Sequence, residues 1–207
     1  MTASRPALVR RGLQLTYATL GYNCLEGLIA IGAGIAAGSI ALVGFGLDSL
    51  IEVSAGAAAI WRLYSDRDIG RRARAEYVTL RIIGALFLAL AVYVAADAVR
   101  ALVARAAPAE SVVGIVLGAL SLAVMPLLAR AKRHVAFAMG SGALAAEARQ
   151  TSFCTYLSAI MLAGLLLNAT LGWWWADPVA ALVMVPLIAK EGLEGLRGRS
   201  ACADCCP

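Results

Sequence analysis

Long apolar stretches separated by short clusters of charge are the feature that most limits how this chain can fold. Hydrophobic residues make up 61% of its 207 residues and charged residues only 15%, and the mean hydropathy is +0.80. A helix needs roughly 20 mainly apolar residues to cross the hydrocarbon core of a bilayer. The composition therefore predicts an integral membrane protein and excludes an ordinary soluble domain.

Six stretches have the length and composition of membrane-crossing helices. They cover about residues 13–35, 39–61, 77–103, 112–128, 138–167 and 179–191. Pro126 and Pro186 fall inside the fourth and sixth stretches, where a membrane helix tolerates proline as a kink. The sequence thus predicts an all-α, multi-pass membrane protein, with an N-terminal segment at 1–12, a six-helix transmembrane domain at 13–197 and a Cys-rich tail at 198–207.

Basic residues gather on one side of this predicted arrangement. They precede the first helix, follow the sixth, and fill two predicted loops, at residues 62–74 and 130–134. Because cytoplasmic loops of membrane proteins are enriched in Lys and Arg, both termini are predicted to be cytoplasmic, with the protein in the cell membrane. This rim accounts for the net charge of +5, so no nucleic-acid partner is expected. The single histidine, His134, lies in the second of these loops and excludes a His-based membrane site.

Two short segments, at residues 38–42 and 140–144, resemble each other, and each leads into a polar pair. The first leads to Asp48 and Glu52, and the second to Gln150 and Cys154. Each pair is spaced i, i+4, which places both side chains on one face of a helix. Both pairs lie about 15 Å beyond the start of their segment, near the middle of the membrane. The pattern predicts that four potential metal ligands meet there.

The carboxylates of Asp48 and Glu52 are the strongest part of this prediction. An ionised carboxylate inside a membrane costs several kcal/mol unless it is paired, protonated or bound to a cation. Two on one helical face repel each other, and a divalent cation would remove that repulsion. The alternative is one shared proton and a hydrogen bond to a neighbouring helix. Gln150 and Cys154 also have a structural alternative, because Gln often joins membrane helices and a buried Cys is often a small hydrophobe.

Three further polar residues are predicted to support this site or to take part in proton coupling. Asn23 and Glu26 are spaced i, i+3 on the first helix, and Glu147 continues the face that carries Gln150 and Cys154. Glu26 could be a fifth ligand, a proton carrier or a hydrogen-bond partner of Gln150. Glu147 could line an inner vestibule or form a salt bridge.

Two other polar groups lie outside the predicted site. Asp97 and Arg100 are spaced i, i+3 on the third helix and are expected to form a local ion pair. The tail carries Cys202, Cys205 and Cys206, which could capture a soft metal in a reducing cytoplasm. The alternative for these three thiols is a flexible tail without a metal.

The polar pairs carry a resemblance to the cation diffusion facilitator family. The second-helix motif of that family, Ser-x-Ala-Leu-x-x-Asp-Ala-x-His-x-x-x-Asp, is similar to the segment from Ser39 to Glu52, with Asp48 at the His position and Glu52 at the final Asp position. In the fifth helix, Gln150 and Cys154 stand at the positions of a family His-x-x-x-Asp pair. Residues 172–178 are similar to the start of the family's sixth helix, and the resemblance covers about residues 12–197.

The resemblance implies six helices, a homodimer in the lipid bilayer, and exchange of a divalent metal ion for protons rather than an enzymatic reaction. No permanently bound cofactor is expected. Zn²⁺ is the expected transported ion, with Cd²⁺, Co²⁺, Mn²⁺ and Fe²⁺ as alternatives, because a thiolate favours softer metals. The motif histidines are replaced here, and the family's C-terminal cytoplasmic domain has no counterpart in this sequence. A rival interpretation is therefore a non-transporting metal-binding or sensor protein with the same fold.

Overall fold

The computed structural model describes residues 5–64, 69–140 and 142–197, and α-helices are the regular secondary structure of these residues. Within these ranges there is no strand, as the sequence predicted. Six helices follow one another along the chain: α1 Arg5–Ala37, α2 Ile40–Tyr64, α3 Ile69–Ala104, α4 Val112–Met139, α5 Gly142–Leu171 and α6 Ala176–Leu196. The all-α fold with six helices is therefore confirmed.

Five helices, α1 to α5, are long and apolar enough to cross a membrane. The sixth, α6, is less apolar because charged residues occur at both of its ends. Asp177 lies in its first turn, and Lys190, Glu191 and Glu194 lie in its last turns. Pro126 and Pro186 lie inside α4 and α6, and both helices continue through them, as the sequence predicted. The chain is a multi-pass membrane protein.

The two repeated segments share a backbone feature. Gly38 and Gly140 each precede a helix that carries one of the polar pairs, and both adopt a left-handed conformation, with φ of 67° and 62°. This conformation strains residues that have a side chain, so glycine is the suitable residue at both turns. At Gly140 the backbone N–H points back to the carbonyls of Ala136 and Phe137 and ends α4. The similarity of the segments therefore corresponds to a repeated turn geometry.

The prediction of a loop at residues 130–134 is wrong. Arg130, Lys132, Arg133 and His134 all belong to α4, which continues to Met139, and α5 begins at Gly142 rather than at residue 138. Charged residues limit the stretch that suits lipid, but Lys and Arg are good helix formers and do not end a helix. The same reason explains why α1 and α3 begin at Arg5 and Ile69, several residues before their apolar stretches.

The helices pair in the same way in both halves of the chain. α1 packs on α2 and α4 packs on α5, while α2 and α5 contact each other in the middle of the bundle. α3 and α6 form the other main contact, and a Cβ atom at Gly84 would lie 2.7 Å from the carbonyl oxygen of Gly192. The glycines let these two helices approach closely. The result is a bundle in which α2 and α5, the two helices with polar pairs, are central.

Candidate metal centre

Three of the four predicted metal ligands come together between α2 and α5. Each of Asp48, Glu52 and Cys154 offers one ligand atom, and these atoms all lie within 4.8 Å of one another. Asp48 and Glu52 are one turn apart on α2, and Cys154 approaches from α5. The helical face predicted from the i, i+4 spacing is thus the face that meets the neighbouring helix. Metal ligation by these residues stays a prediction.

All three side chains are buried, and three carboxylate oxygen atoms have no hydrogen-bond partner. Asp48 and Cys154 are fully buried and Glu52 is 6% exposed. Neither carboxylate oxygen of Asp48 has a hydrogen-bond partner, and Oε1 of Glu52 also has none. A buried carboxylate without donors is costly, so these oxygen atoms need a proton or a cation. The arrangement differs from that of a structural carboxylate, which would be surrounded by hydrogen-bond donors.

Asn23 and Glu26 of α1 contact α2 beside this cluster. The Asn23 amide donates a hydrogen bond of 2.7 Å from Nδ2 to Oε2 of Glu52. Glu26 accepts a hydrogen bond of 3.1 Å from the Ser49 hydroxyl, and its Oε1 atom has no partner. The partner found for Glu26 is therefore Ser49 of α2 rather than Gln150. Proton coupling by either residue stays a prediction.

Gln150 occupies the turn of α5 that precedes Cys154. Its side chain is half-buried, and Nε2 has no hydrogen-bond partner. Gln150 and Cys154 both belong to α5. The amide nitrogen of Gln150 donates no hydrogen bond to a neighbouring helix. Its role as a fourth ligand stays a prediction.

The predicted salt bridge of Glu147 has a partner that the sequence did not suggest. The Lys132 ammonium lies 3.4 Å from Oε1 of Glu147 and is fully buried. It also donates a hydrogen bond of 3.2 Å to the Thr151 hydroxyl, while Thr16 of α1 donates one of 2.8 Å to Oε2 of Glu147. We refer to Thr16, Lys132, Glu147 and Thr151 as the Lys132 cluster.

A signal for the burial of Lys132 is present in the sequence. Met125, Ala129, Lys132 and Ala136 follow the i, i+4, i+7, i+11 spacing of a single helical face, and all four are buried. A second missed residue is Glu191, which is half-buried in the last turns of α6. Glu191 is the last residue of the predicted sixth stretch, where the charged residues were interpreted only as the end of the apolar segment.

The two polar groups outside the site have different outcomes. Asp97 and Arg100 form the expected local ion pair on α3, with 3.5 Å between Oδ1 and Nε. The tail cysteines Cys202, Cys205 and Cys206 lie outside the residues that the structure describes. Metal capture by the tail stays a prediction.

Two carboxylates and one thiol form a donor set that suits a divalent transition metal. Zn²⁺ accepts carboxylate oxygen and thiolate sulfur and is usually four-coordinate. The thiolate favours Zn²⁺ or Cd²⁺, whereas the oxygen atoms alone would suit Mn²⁺. Three ligand atoms leave the coordination of a four-coordinate ion incomplete, so at least one more ligand would be needed. An incomplete set of protein ligands suits a site where a metal ion has to enter and leave.

The comparisons with known proteins agree with this location in a membrane bundle. The family model described as the cation efflux transmembrane domain matches residues 18–198, which include the whole candidate centre. No curated protein matches the chain. A match of this length covers most of the chain and every helix that contributes to the site. The chain therefore belongs to the cation efflux family, the cation diffusion facilitators, through its transmembrane domain.

Proposed function

We propose that the protein exports a divalent transition-metal ion, with Zn²⁺ as the preferred ion, from the cytoplasm in exchange for protons. Its membership of a cation transporter family supports cation transport across a membrane. The observation that carries the choice of ion is the buried group of Asp48, Glu52 and Cys154, in which three ligand atoms lie within 4.8 Å of one another. Carboxylates bring the negative charge that a divalent ion needs, and the thiol favours a softer ion.

Protons are the natural exchange partner for such a site. When the metal leaves, both carboxylate oxygens of Asp48 and Oε1 of Glu52 have no hydrogen-bond donor to replace it. Protonation would neutralise them and keep the emptied site stable inside the membrane. Glu26 accepts a hydrogen bond from Ser49, the residue that follows Asp48, and is a third group that could carry a proton. In this mechanism access alternates between the two ends of the bundle, as α2 and α5 move relative to their neighbours.

The cytoplasmic position of both termini and the homodimer are further parts of this proposal. The orientation rests on the basic residues at the termini and between α2 and α3. Lys132 is buried in α4 and does not count as an exposed basic residue. The distribution is still the same, because Arg130 and Arg133 are exposed at the same end of α4. The homodimer rests on the family resemblance.

Flux measurements in reconstituted vesicles test the proposed function. Zn²⁺, Cd²⁺, Co²⁺, Mn²⁺ and Fe²⁺ are offered with and without a pH gradient, and metal uptake is followed with an indicator inside the vesicles. We expect Asp48→Asn and Glu52→Gln to lower Zn²⁺ flux at least about tenfold, because each removes one negative charge from a buried site. Flux equal to that of the parent protein would show that the site is wrong.

The two cysteines of the described residues provide a matched pair for the choice of metal. Cys154 is buried in the site and Cys24 is exposed on α1. Cys154→Ser should lower Zn²⁺ and Cd²⁺ flux more than Mn²⁺ flux, because a hydroxyl is a harder ligand than a thiolate. Cys24→Ser should leave all fluxes unchanged. If the vesicles bind metal at Asp48 and Glu52 but no variant or gradient produces flux, the sensor interpretation replaces transport.

A further inference from the structure

A fully buried lysine lies beside the candidate metal centre. Lys132 contacts Glu147 and Thr151 of α5, and Glu147 is in turn held by Thr16 of α1. Three helices, α1, α4 and α5, therefore meet at one ion pair. A buried ammonium is expensive in a membrane protein, so its retention needs a physical reason beyond packing.

The Lys132 cluster forms a layer of its own, parallel to the metal centre. On α1, Thr16 belongs to the cluster and Asn23, seven residues later, contacts Glu52 of the metal centre. On α5, Glu147 belongs to the cluster and Cys154, also seven residues later, belongs to the metal centre. Seven residues correspond to about 10 Å along a helix. Two helices thus give the same separation between the layers.

The cluster lies between the metal centre and one end of the bundle. Glu147 is in the second turn of α5, whereas Cys154 is two turns further in. Thr151, which accepts the hydrogen bond from Lys132, is only about 4.5 Å from Cys154 along the helix axis. The shortest path between Cys154 and the end where α4 and α5 are joined therefore runs beside Lys132 and Glu147.

We propose that Lys132 is a tethered cation that closes this path by pairing with Glu147, and that the transported ion opens it by competing for Glu147. Lys132 donates to Thr151, which lies about 4.5 Å from Cys154 along the helix axis, so its positive charge repels a cation that approaches the metal centre while the pair is closed. A divalent ion attracts the Glu147 carboxylate more strongly than a single ammonium does. When it displaces the ammonium, the contacts between α1, α4 and α5 are released. This role rests on the proposed transport of a cation.

Cys154 provides a direct probe of the gate. Cys24, Cys202, Cys205 and Cys206 are replaced by Ser, which leaves Cys154 as the only one of five cysteines. A positively charged, membrane-impermeant methanethiosulfonate is added to reconstituted vesicles from one side at a time, and the remaining thiol is measured. In Lys132→Gln we expect Cys154 to react about tenfold faster from the side of the termini and at the parent rate from the other side.

Conservative and matched variants separate a gate from a structural role. Lys132→Arg keeps the charge and should retain slow labelling. Lys190→Gln removes a lysine that pairs with Glu194 on the surface, at 4.0 Å, and should label like the parent. Thr16→Val removes only the hydrogen bond to Glu147 and should accelerate labelling about twofold to threefold, which keeps the test open if Lys132→Gln does not fold.

The outcomes distinguish the gate from the proposed function. Equal acceleration from both sides in Lys132→Gln, or an unchanged rate in both Lys132→Gln and Thr16→Val, would overturn the gate. In Lys132→Gln, where the pair no longer closes the path, Zn²⁺ should slow the labelling of Cys154 if Cys154 binds the transported ion. Labelling that depends on Lys132 and on the side of addition, but that Zn²⁺ does not slow, would support the gate and count against the proposed metal site.

Discussion

The two ends of the bundle are held together by different kinds of contact. At the end where α1 joins α2, the buried Asp177 of α6 accepts hydrogen bonds from the Ser39 hydroxyl, at 2.5 Å, and from the backbone N–H of Ile40, at 2.9 Å. A backbone bond of 2.8 Å from Ala109 to Ala37 ties the α3–α4 connection to the same end. At the other end, Lys132 and Glu147 join α4 to α5 through side chains alone.

The difference indicates which end is easier to open. Asp177 satisfies the first backbone donor of α2, so releasing it would leave a buried N–H group without a partner. Lys132 and Glu147 can separate by side-chain rotation, and an incoming cation can replace one of the partners. We infer that the Asp177 contact is a fixed joint of the fold and that the Lys132 contact is the movable one.

The largest effect on stability is expected from breaking the Lys132 pair without a cation to replace it. Glu147→Gln leaves the Lys132 ammonium buried beside a neutral amide, and we expect a loss of about 3–5 kcal/mol in the free energy of unfolding. Reversible unfolding in mixed detergent micelles measures this change. Adding Lys132→Met should recover part of the loss, because the buried charge is then removed.

The matched control for this prediction is Glu194→Gln on α6. Its partner Lys190 is exposed, so the loss should stay within about 0.5 kcal/mol. If Glu147→Gln and Glu194→Gln destabilise the protein equally, the Lys132 pair does not hold its end of the bundle together.

A smaller but still substantial effect is expected at the opposite end. Asp177→Ala removes the acceptor for both Ser39 and Ile40, and we expect a loss of about 2–4 kcal/mol because two charge-assisted hydrogen bonds disappear from a buried site. The same unfolding measurement applies. Labelling of Cys154 from the side of the termini should stay slow, and faster labelling from that side would contradict the assignment of a fixed joint.

The smallest effect is expected for the ion pair on the surface of α3. Arg100 is 85% exposed at its side chain, so water already screens its interaction with Asp97. Asp97→Asn should change the free energy of unfolding by less than about 0.5 kcal/mol and leave metal flux unchanged. If Asp97→Asn lowers the free energy of unfolding as much as Asp177→Ala does, the exposure of a charged group does not indicate how much its interactions stabilise this protein.

Much of the candidate site could be predicted from spacing within single helices. The i, i+4 spacing placed Asp48 and Glu52 on one face of α2, and the repeated segment selected Cys154 as their counterpart on α5. In the structure, the ligand atoms of these three residues lie within 4.8 Å of one another. Asn23 and Glu26 were likewise found as one polar face of α1. Spacing is sufficient for such groupings because helix geometry is local and fixes which side chains share a face.

Lys132 and Asp177 could not be assigned in the same way. Charge at Lys132 indicated a loop, although the buried spacing from Met125 to Ala136 indicated a continuous helical face. The contact between Asp177 and Ser39 joins residues from opposite ends of the chain, and no local pattern determines it. Whether a charge is solvated or paired depends on the helix that packs against it.

The sequence by itself determined that the protein is a helical membrane protein, because only a helix satisfies every backbone group within a long apolar segment. It also determined which polar residues share a face on α1, α2 and α5. Only the tertiary structure decided which faces meet, that Asp48 and one oxygen of Glu52 lack donors, and that Lys132 is paired inside the bundle. These depend on the packing between helices, which brings together groups that are far apart in the chain.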